Sequence, residues 1–546
     1  MPDGPLIVQS DRTVLLEVAH PDAAAARHEL AVFAELERAP EHVHTYRITR
    51  LGLWNARAAG HSADEILATL EQYSKFAVPQ SVTLEIVETI GRYGKLVIER
   101  DDEGVLSLRS TDPAVLTEIT RGKKVAPLLT ERRDDGSWLI APWARGQLKQ
   151  ELIKLGWPAD DLAGFTPGTP HAIELDESNW HLRDYQREAV DLFSEHGSGV
   201  VVLPCGAGKT LVGAGAMAAI KTNTLILVTN TVSARQWRSE LLKRTTLTED
   251  EIGEYSGLVK EVKPVTIATY QILTSKRSGS YAHLELLDAL DWGLVVYDEV
   301  HLLPAPVFKL TADLQARRRL GLTATLVRED GRESDVFSLI GPKRFDAPWK
   351  EIEAQGYISP ANCYEVRVDL PYDERMTYAA AGDDERYRLA ATAPAKLDAT
   401  RRLIAHHEGE RILVIGQYID QLDELAAQLG APEITGATPV AERERLFQAF
   451  RDGDEKILVV SKVANFSIDL PEASVAIQVS GSFGSRQEEA QRLGRLLRPK
   501  ESGLSASFYT LVARDTVDQE FAQNRQRFLA EQGYAYSIVD ADALVA

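Results

Sequence analysis

The chain is poor in sulfur, in long apolar runs and in positive charge. Two cysteines in 546 residues, Cys205 and Cys363, cannot build a disulfide framework, and a reducing, cytoplasmic setting is expected. No stretch approaches the ~18 consecutive apolar residues of a membrane-spanning helix. The first residues, MPDGPLIVQSDR, lack the basic start and apolar core of a secretory signal. Lys and Arg number 61 against 81 Asp and Glu, for a net charge of −20. Taken whole, that speaks against a nucleic-acid partner. Its distribution changes the reading, although charge alone leaves a solvated face the simpler account of any one cluster. Residues 1–180 sum to −9, 181–350 to 0 and 351–546 to −11, with basic clusters at Arg317-Arg318-Arg319, Lys343-Arg344 and Arg492 to Lys500. An acidic background favours solubility and leaves room for a narrow basic groove.

Apolar residues make up 44% of the chain and charged residues 26%, which is the composition of a folded globular protein. No solenoid repeat is visible. Residues 1–90 read as a mostly helical domain. Ser62 stands where it can cap a helix whose first turn holds Asp64 and Glu65. A helix-turn-helix followed by a strand at Lys95–Glu99 would be winged-helix-like; an ordinary small helical domain is the equal alternative. Residues 91–165 mix short strands with one helix near 146–155, a small α+β module. Residues 166–180, rich in Pro, Gly and small polar side chains, read as a linker.

From His181 onward, fully apolar strand-like runs alternate with helical segments, the signature of a parallel sheet covered on both faces. Two series occur, so the expected fold class is α/β with two tandem parallel-sheet lobes, 181–350 and 351–546. The boundary falls near Pro348 to Pro360.

The sharpest motif is Val200 to Thr210, VVVLPCGAGKT. An apolar strand enters a Gly-rich loop that opens a helix. Gly206, Ala207 and Gly208 let backbone N–H groups wrap a phosphate, and the helix adds its positive end. Lys209 would reach the β- and γ-phosphates; Thr210 would ligate Mg²⁺. About ninety residues on, a second apolar strand ends in Asp298-Glu299-Val300-His301. Asp298 suits the metal and Glu299 suits polarisation of the attacking water. Upstream, Arg183 and Gln186 in LRDYQ are candidates for the adenine base, since Gln186 offers a donor and an acceptor. Thr323 and Thr325, hydroxyls at a strand end, could link hydrolysis to movement, together with His301. In the second lobe Gln491, Arg495 and Arg498 fit Q-R-x-G-R-x-x-R. Gln491 would position the water and the two arginines would stabilise phosphoryl charge from across a cleft.

The ordered set LRDYQ, PCGAGKT, DEVH, GLTATLVRED, VVSKVANFSIDLPEA and QRLGRLLRP resembles superfamily 2 helicases, and within them the XPB-type DNA helicases, bacterial branch. The resemblance covers about residues 180–535 firmly and residues 1–180 in layout. It implies RecA-like lobes, ATP and Mg²⁺ as cofactors, and DNA unwinding with 3′-to-5′ polarity, in repair. It implies a damage-recognition-like role for residues 91–165. It assigns Arg328, Glu329 and Asp330 to strand separation and Asp469 to the ribose. Asn465, Phe466 and Ser467 depart from the acidic pair and Gly of many superfamily 2 members. Only Asp373 to about Ala395 is available for the family's thumb-like insertion, which must be short or absent. The expected partners are single-stranded, forked or duplex DNA, with a nuclease or other repair protein beside them; a monomer and no membrane are expected. The rival function is a double-stranded DNA translocase, or remodelling ATPase, that does not separate strands.

Overall fold

The computed structural model describes residues 4–39, 42–204, 206–277, 280–281, 283–304, 314–315, 317–324, 332–347, 352, 361–461, 473–481, 506–531 and 536–543. The boundary expected at Pro348 to Pro360 lies outside these residues except for Ile352, as does Cys205.

Residues 4–92 differ from the mostly helical expectation. Four short strands, Leu6–Val8, Thr13–Glu17, Val43–Ile48 and Ala34–Arg38 in that order across the sheet, form an antiparallel sheet. Helices Ala23–Leu30, Arg50–Ala58, Ala63–Tyr73 and Gln80–Arg92 cover it. Val14, Leu16, Tyr46 and Ile48 meet Leu53, Ile66, Leu70 and Ile86 in one buried core. The strands run three to six residues, too short for their alternation to stand out. The cap at Ser62 is present: its hydroxyl accepts from Glu65 N–H while Glu65 accepts from Ser62 N–H. The strand expected to complete a winged helix, Leu96–Arg100, pairs instead with Leu106–Ser110 and Ala159–Asp161. It belongs to a five-stranded sheet over helices Pro113–Thr120 and Arg145–Lys154.

The expected linker is not a free tether. Ile173 is fully buried, and backbone bonds tie Thr169 to Asp291, His171 to Lys221 and Asp176 to Arg244. Gly168 lies so close to Gly293 that a Cβ there would stand 2.3 Å from its Cα. The segment is strapped along the first lobe.

That lobe is a seven-stranded parallel sheet in the order Ile252–Tyr255, Val265–Thr269, Thr224–Val228, Leu294–Asp298, Arg318–Thr323, Ser198–Val202, Lys343–Asp346. The second lobe orders its strands Glu433–Ile434, Ile457–Ser461, Ile412–Gly416, Val475–Gln478, Ala506–Ala513, Ala361–Val368, Tyr536–Asp540, again all parallel. Numbered along the chain within each lobe, both sheets read 3-4-2-5-6-1-7. Two tandem lobes of one RecA-like topology are therefore present. The stretch available for a thumb holds two short helices, Tyr372–Ala380 and Asp383–Ala391.

The N-terminal parts are joined to the first lobe by polar contacts. Asn55 Oδ1 accepts from Lys343 N–H at 2.9 Å, and Arg344 donates to Ala58 O at 3.0 Å. Lys149, paired with Asp161, also donates to Gln315 at 2.9 Å, and Gln150 donates to Asp335 at 2.9 Å. Burial pushes the Lys149 ammonium down to about 8 against the pull of Asp161. Among the described residues no helix is long and apolar enough to cross a membrane.

Candidate nucleotide site at the strand ends of the first lobe

Sheet register brings the motifs together. Val202 pairs with Thr323, and Leu322 with Asp298. The phosphate-loop strand, the Thr323 strand and the Asp298 strand are neighbours, so their carboxyl ends share one level. That is where open α/β sheets bind ligands.

The loop carries left-handed backbone at Gly206 (φ 83°) and Gly208 (φ 81°). At Gly208 a side chain is excluded twice, since a Cβ would also stand 2.3 Å from Gln186 Nε2. Gly208 begins the helix Lys209–Ile220 with no side-chain cap. The amides of that first turn face the loop, an arrangement that suits an anion. Lys209 Nζ reaches Leu203 O and Glu299 Oε1, both at the long distance of 3.4 Å. Thr210, next on the helix, is half-buried.

Gln186 is almost fully buried and braces the loop. Its Nε2 donates to Ala207 O at 2.8 Å, and its Oε1 accepts from Arg183 N–H at 3.0 Å. Tyr185 OH donates to the same Ala207 O at 2.7 Å, and Arg183 reaches Tyr185 OH at 3.2 Å. The amide expected to read a base thus has both ends engaged with loop and helix.

Asp298 Oδ1 accepts from Glu299 N–H at 3.1 Å and Oδ2 from Trp237 Nε1–H at 2.9 Å. Tyr270 OH donates to Asp298 O at 2.8 Å. Burial, with the Glu299 charge beside it, pushes the Asp298 carboxyl up to about 6, against the Trp237 donor and Lys209. Glu299 itself sits in left-handed backbone, φ 49°. For a non-glycine this costs roughly 1–3 kcal/mol and persists where surrounding structure enforces it. The conformation places Oε1 towards Lys209 and Oε2 3.6 Å from His301 Nδ1. His301 Nδ1 in turn lies 2.7 Å from Thr323 Oγ1. A chain of contacts therefore runs from Lys209 through Glu299 and His301 to Thr323.

The structure gathers Arg183, Gln186, Gly206, Ala207, Gly208, Lys209, Thr210, Asp298, Glu299, His301 and Thr323 at one end of the sheet. Thr325, Arg328, Glu329, Asp330, Asp469, Gln491, Arg495 and Arg498 lie outside the described residues. Sequence reasoning missed Tyr185, Trp237 and Tyr270. Tyr185 sits inside LRDYQ and was within reach. Trp237 and Tyr270 carry no local signal, because only the tertiary fold brings them to Asp298.

Family models match along most of the chain. "Helicase conserved C-terminal domain" matches residues 6–134, "Type III restriction enzyme, res subunit" residues 179–328, and "ERCC3/RAD25/XPB C-terminal helicase" residues 352–545. The chain is 69% identical to the DNA 3'-5' helicase XPB of Kineococcus radiotolerans, covering 99% of this chain and 97% of that one. It is 64% identical to the DNA 3'-5' helicase XPB of Mycobacterium tuberculosis, covering 100% and 99%. Against the general transcription and DNA repair factor IIH helicase/translocase subunit XPB/SSL2 of Saccharomyces cerevisiae it is 32% identical, covering 98% and 72%. With the motifs in one site, two lobes of one topology and near-complete coverage by such relatives, the chain belongs to the XPB family of superfamily 2 helicases.

Proposed function

We propose that this protein is an ATP-dependent DNA helicase that moves 3′-to-5′ and separates strands, acting in DNA repair in the cytoplasm as a monomer. The observation that carries the reading is the joined set Lys209, Asp298, Glu299, His301 and Thr323 at the strand ends of one lobe. The relatives' names supply polarity and substrate. The division into 1–90, 91–165, 166–180, 181–350 and 351–546 belongs to the same proposal, with 91–165 orienting DNA.

The residues fit ATP and Mg²⁺. The uncapped helix start, the two left-handed glycines and the charge of Lys209 at the head of that helix suit a polyphosphate. A hard-oxygen pair, Asp298 with Thr210, suits Mg²⁺. When bound, the metal neutralises charge on the phosphate oxygens. Gly206, Ala207, Gly208 and Lys209 hold the phosphates. Glu299 accepts a proton from, or orients, the attacking water. Arg183 and Gln186 serve the base, Gln186 while bracing the loop. Asp469 takes the ribose. Gln491, Arg495 and Arg498 complete the site from the second lobe, and Arg328, Glu329 and Asp330 act on the strands. His301 and Thr323, with Thr325, carry the nucleotide's state towards the DNA side.

The test is strand displacement on 3′-tailed, 5′-tailed, forked and blunt duplexes. ATP-dependent displacement of the 3′-tailed and forked substrates is expected, with Glu299→Gln binding nucleotide but failing to turn over. DNA-stimulated hydrolysis without displacement of any substrate would replace this reading with the translocase.

A further inference from the structure

Trp237 lies on the helix Thr231–Arg244, away from every motif in the sequence, and is about 1% exposed. Its indole is bracketed by two parts of the nucleotide site. On one side Nε1–H donates to Asp298 Oδ2 at 2.9 Å. On the other its ring edge lies over Gly213 of the helix led by Lys209, where a Cβ would stand 2.3 Å from Cη2. One rigid side chain thus spaces the carboxylate from the phosphate-binding helix.

Rotation of an aspartate carboxyl about χ2 is soft, so its hydrogen-bond partners decide where the oxygens point. Here Oδ1 accepts from Glu299 N–H and Oδ2 from Trp237. A buried indole N–H needs an acceptor, and a main-chain carbonyl would satisfy it. Trp292 shows that solution in the same lobe, donating to Leu286 O at 3.0 Å. Trp237 instead takes a carboxylate of the nucleotide site.

We propose that Trp237 is a positioning residue for Mg²⁺·ATP: it locks the Asp298 carboxylate in the orientation that receives the metal and registers it against the Lys209 helix through Gly213. The inference rests on the reading that Asp298 serves Mg²⁺. Partners that orient metal-binding carboxylates are worth about 10–100-fold in metal affinity.

Trp237→Phe keeps a ring over Gly213 and removes only the donor. Mn²⁺ binding in the presence of ADP, read by electron paramagnetic resonance on the full chain, should weaken about tenfold. DNA-stimulated kcat should fall to a similar extent, with KM for ATP changed less than about threefold. Gly213→Ala reaches the same bond from the other side, by displacing the ring, and should weaken Mn²⁺ likewise. Asp298→Asn is the control. If it loses Mn²⁺ and turnover while Trp237→Phe and Gly213→Ala keep both, Trp237 is a core residue only and the proposal fails. If Asp298→Asn itself keeps both, the assignment of Asp298 fails and this proposal with it.

Discussion

The two lobes share a strand order, and each places a lysine at the same corner. Lys209 starts the helix that leads into the second strand of the first lobe; Lys396 is the second residue of the corresponding helix, Ala395–His406, in the second lobe. Each points at the residue that follows the fifth strand, Glu299 in one case and Val479 in the other. There the likeness ends. Lys209 keeps a side-chain exposure of 10% and contacts of 3.4 Å. Lys396 is sealed at 0%, 2.7 Å from Asp518 Oδ2 and 3.2 Å from Val479 O, and Ala513 N–H donates to the same Asp518 oxygen at 3.1 Å. A cation whose bonds are complete has nothing left for a ligand. Lys209 instead stands at the start of an uncapped helix with its side chain 10% exposed, next to the left-handed glycines of the proposed phosphate loop. The same topology thus closes this corner with a buried ion pair in the second lobe and leaves it to the proposed nucleotide site in the first.

The largest effects should separate along this line. Lys209→Ala should cut ATP hydrolysis at least about ten-thousandfold, a barrier of roughly 5 kcal/mol, while the unfolding midpoint moves by a few degrees at most. Lys396→Ala should do the reverse. It leaves Asp518 buried without its cation, which costs about 3–5 kcal/mol, read as a lowered urea midpoint. The double variant Lys396→Met with Asp518→Leu should recover most of that loss, because a buried pair is expensive to break and cheap to replace. Equal destabilisation by Lys209→Ala and Lys396→Ala would dissolve the comparison.

A smaller effect follows from Asp298. Burial pushes its carboxyl up to about 6 in the fold, above the ordinary aspartate value of 3.8. The folded state therefore holds the proton more tightly than the unfolded chain. Stability from this group is greatest below pH 4 and declines as pH rises through 6, by about 2–3 kcal/mol in all. Asp298→Asn has no such proton to lose and should gain on the wild type by about that amount between pH 4 and pH 7, against a pH-independent cost for the one N–H donor that its single amide oxygen leaves unpaired. The measurement is the difference in urea midpoint between the two proteins without nucleotide. A difference that does not change with pH would show that Asp298 is ionised in the fold at little cost. Mg²⁺ with ADP should narrow the gap at pH 7, since the ion supplies the charge the site lacks.

The interior of this fold was legible because central parallel strands are buried on both faces and built mostly of apolar and β-branched residues. Thr224–Val228 and Val265–Thr269 are buried at every position and stand out in the sequence. Edge strands are not. Lys343–Asp346 reads KRFD and Glu433–Ile434 is two residues long; their strand character comes from the neighbour they pair with. The N-terminal sheet was lost for a related reason, since its strands are short and its helices carry the stronger periodicity. In the site, residues bound to a loop or strand end by local sequence were found: Lys209, Asp298, Glu299. Trp237 and Tyr270 were not, because their partners are 61 and 28 residues away. The strain at Glu299 was equally invisible, being a property of what surrounds it.

The smallest effects on stability and on ATP turnover are expected where the chain leaves the sixth strand of each lobe. In the second lobe Arg514 follows that strand and pairs with Asp369 at 3.3 Å and with Asp540, on an exposed face. Surface pairs of this kind contribute at most about 1 kcal/mol, so Arg514→Ala should barely move stability and leave turnover intact. In the first lobe the sixth strand is followed by Arg328, Glu329 and Asp330. One base and two acids make a poor grip on a phosphate backbone, because the carboxylates repel it. They suit contact with exposed base edges, where a carboxylate accepts from cytosine N4. Replacing all three with Ala should leave DNA-stimulated ATP hydrolysis within a few-fold, at most about 1 kcal/mol in the barrier, and reduce strand displacement much further. Parallel loss of both activities would assign these residues to the hydrolytic cycle or the fold. Loss of neither would leave Arg328, Glu329 and Asp330 without a part in either activity.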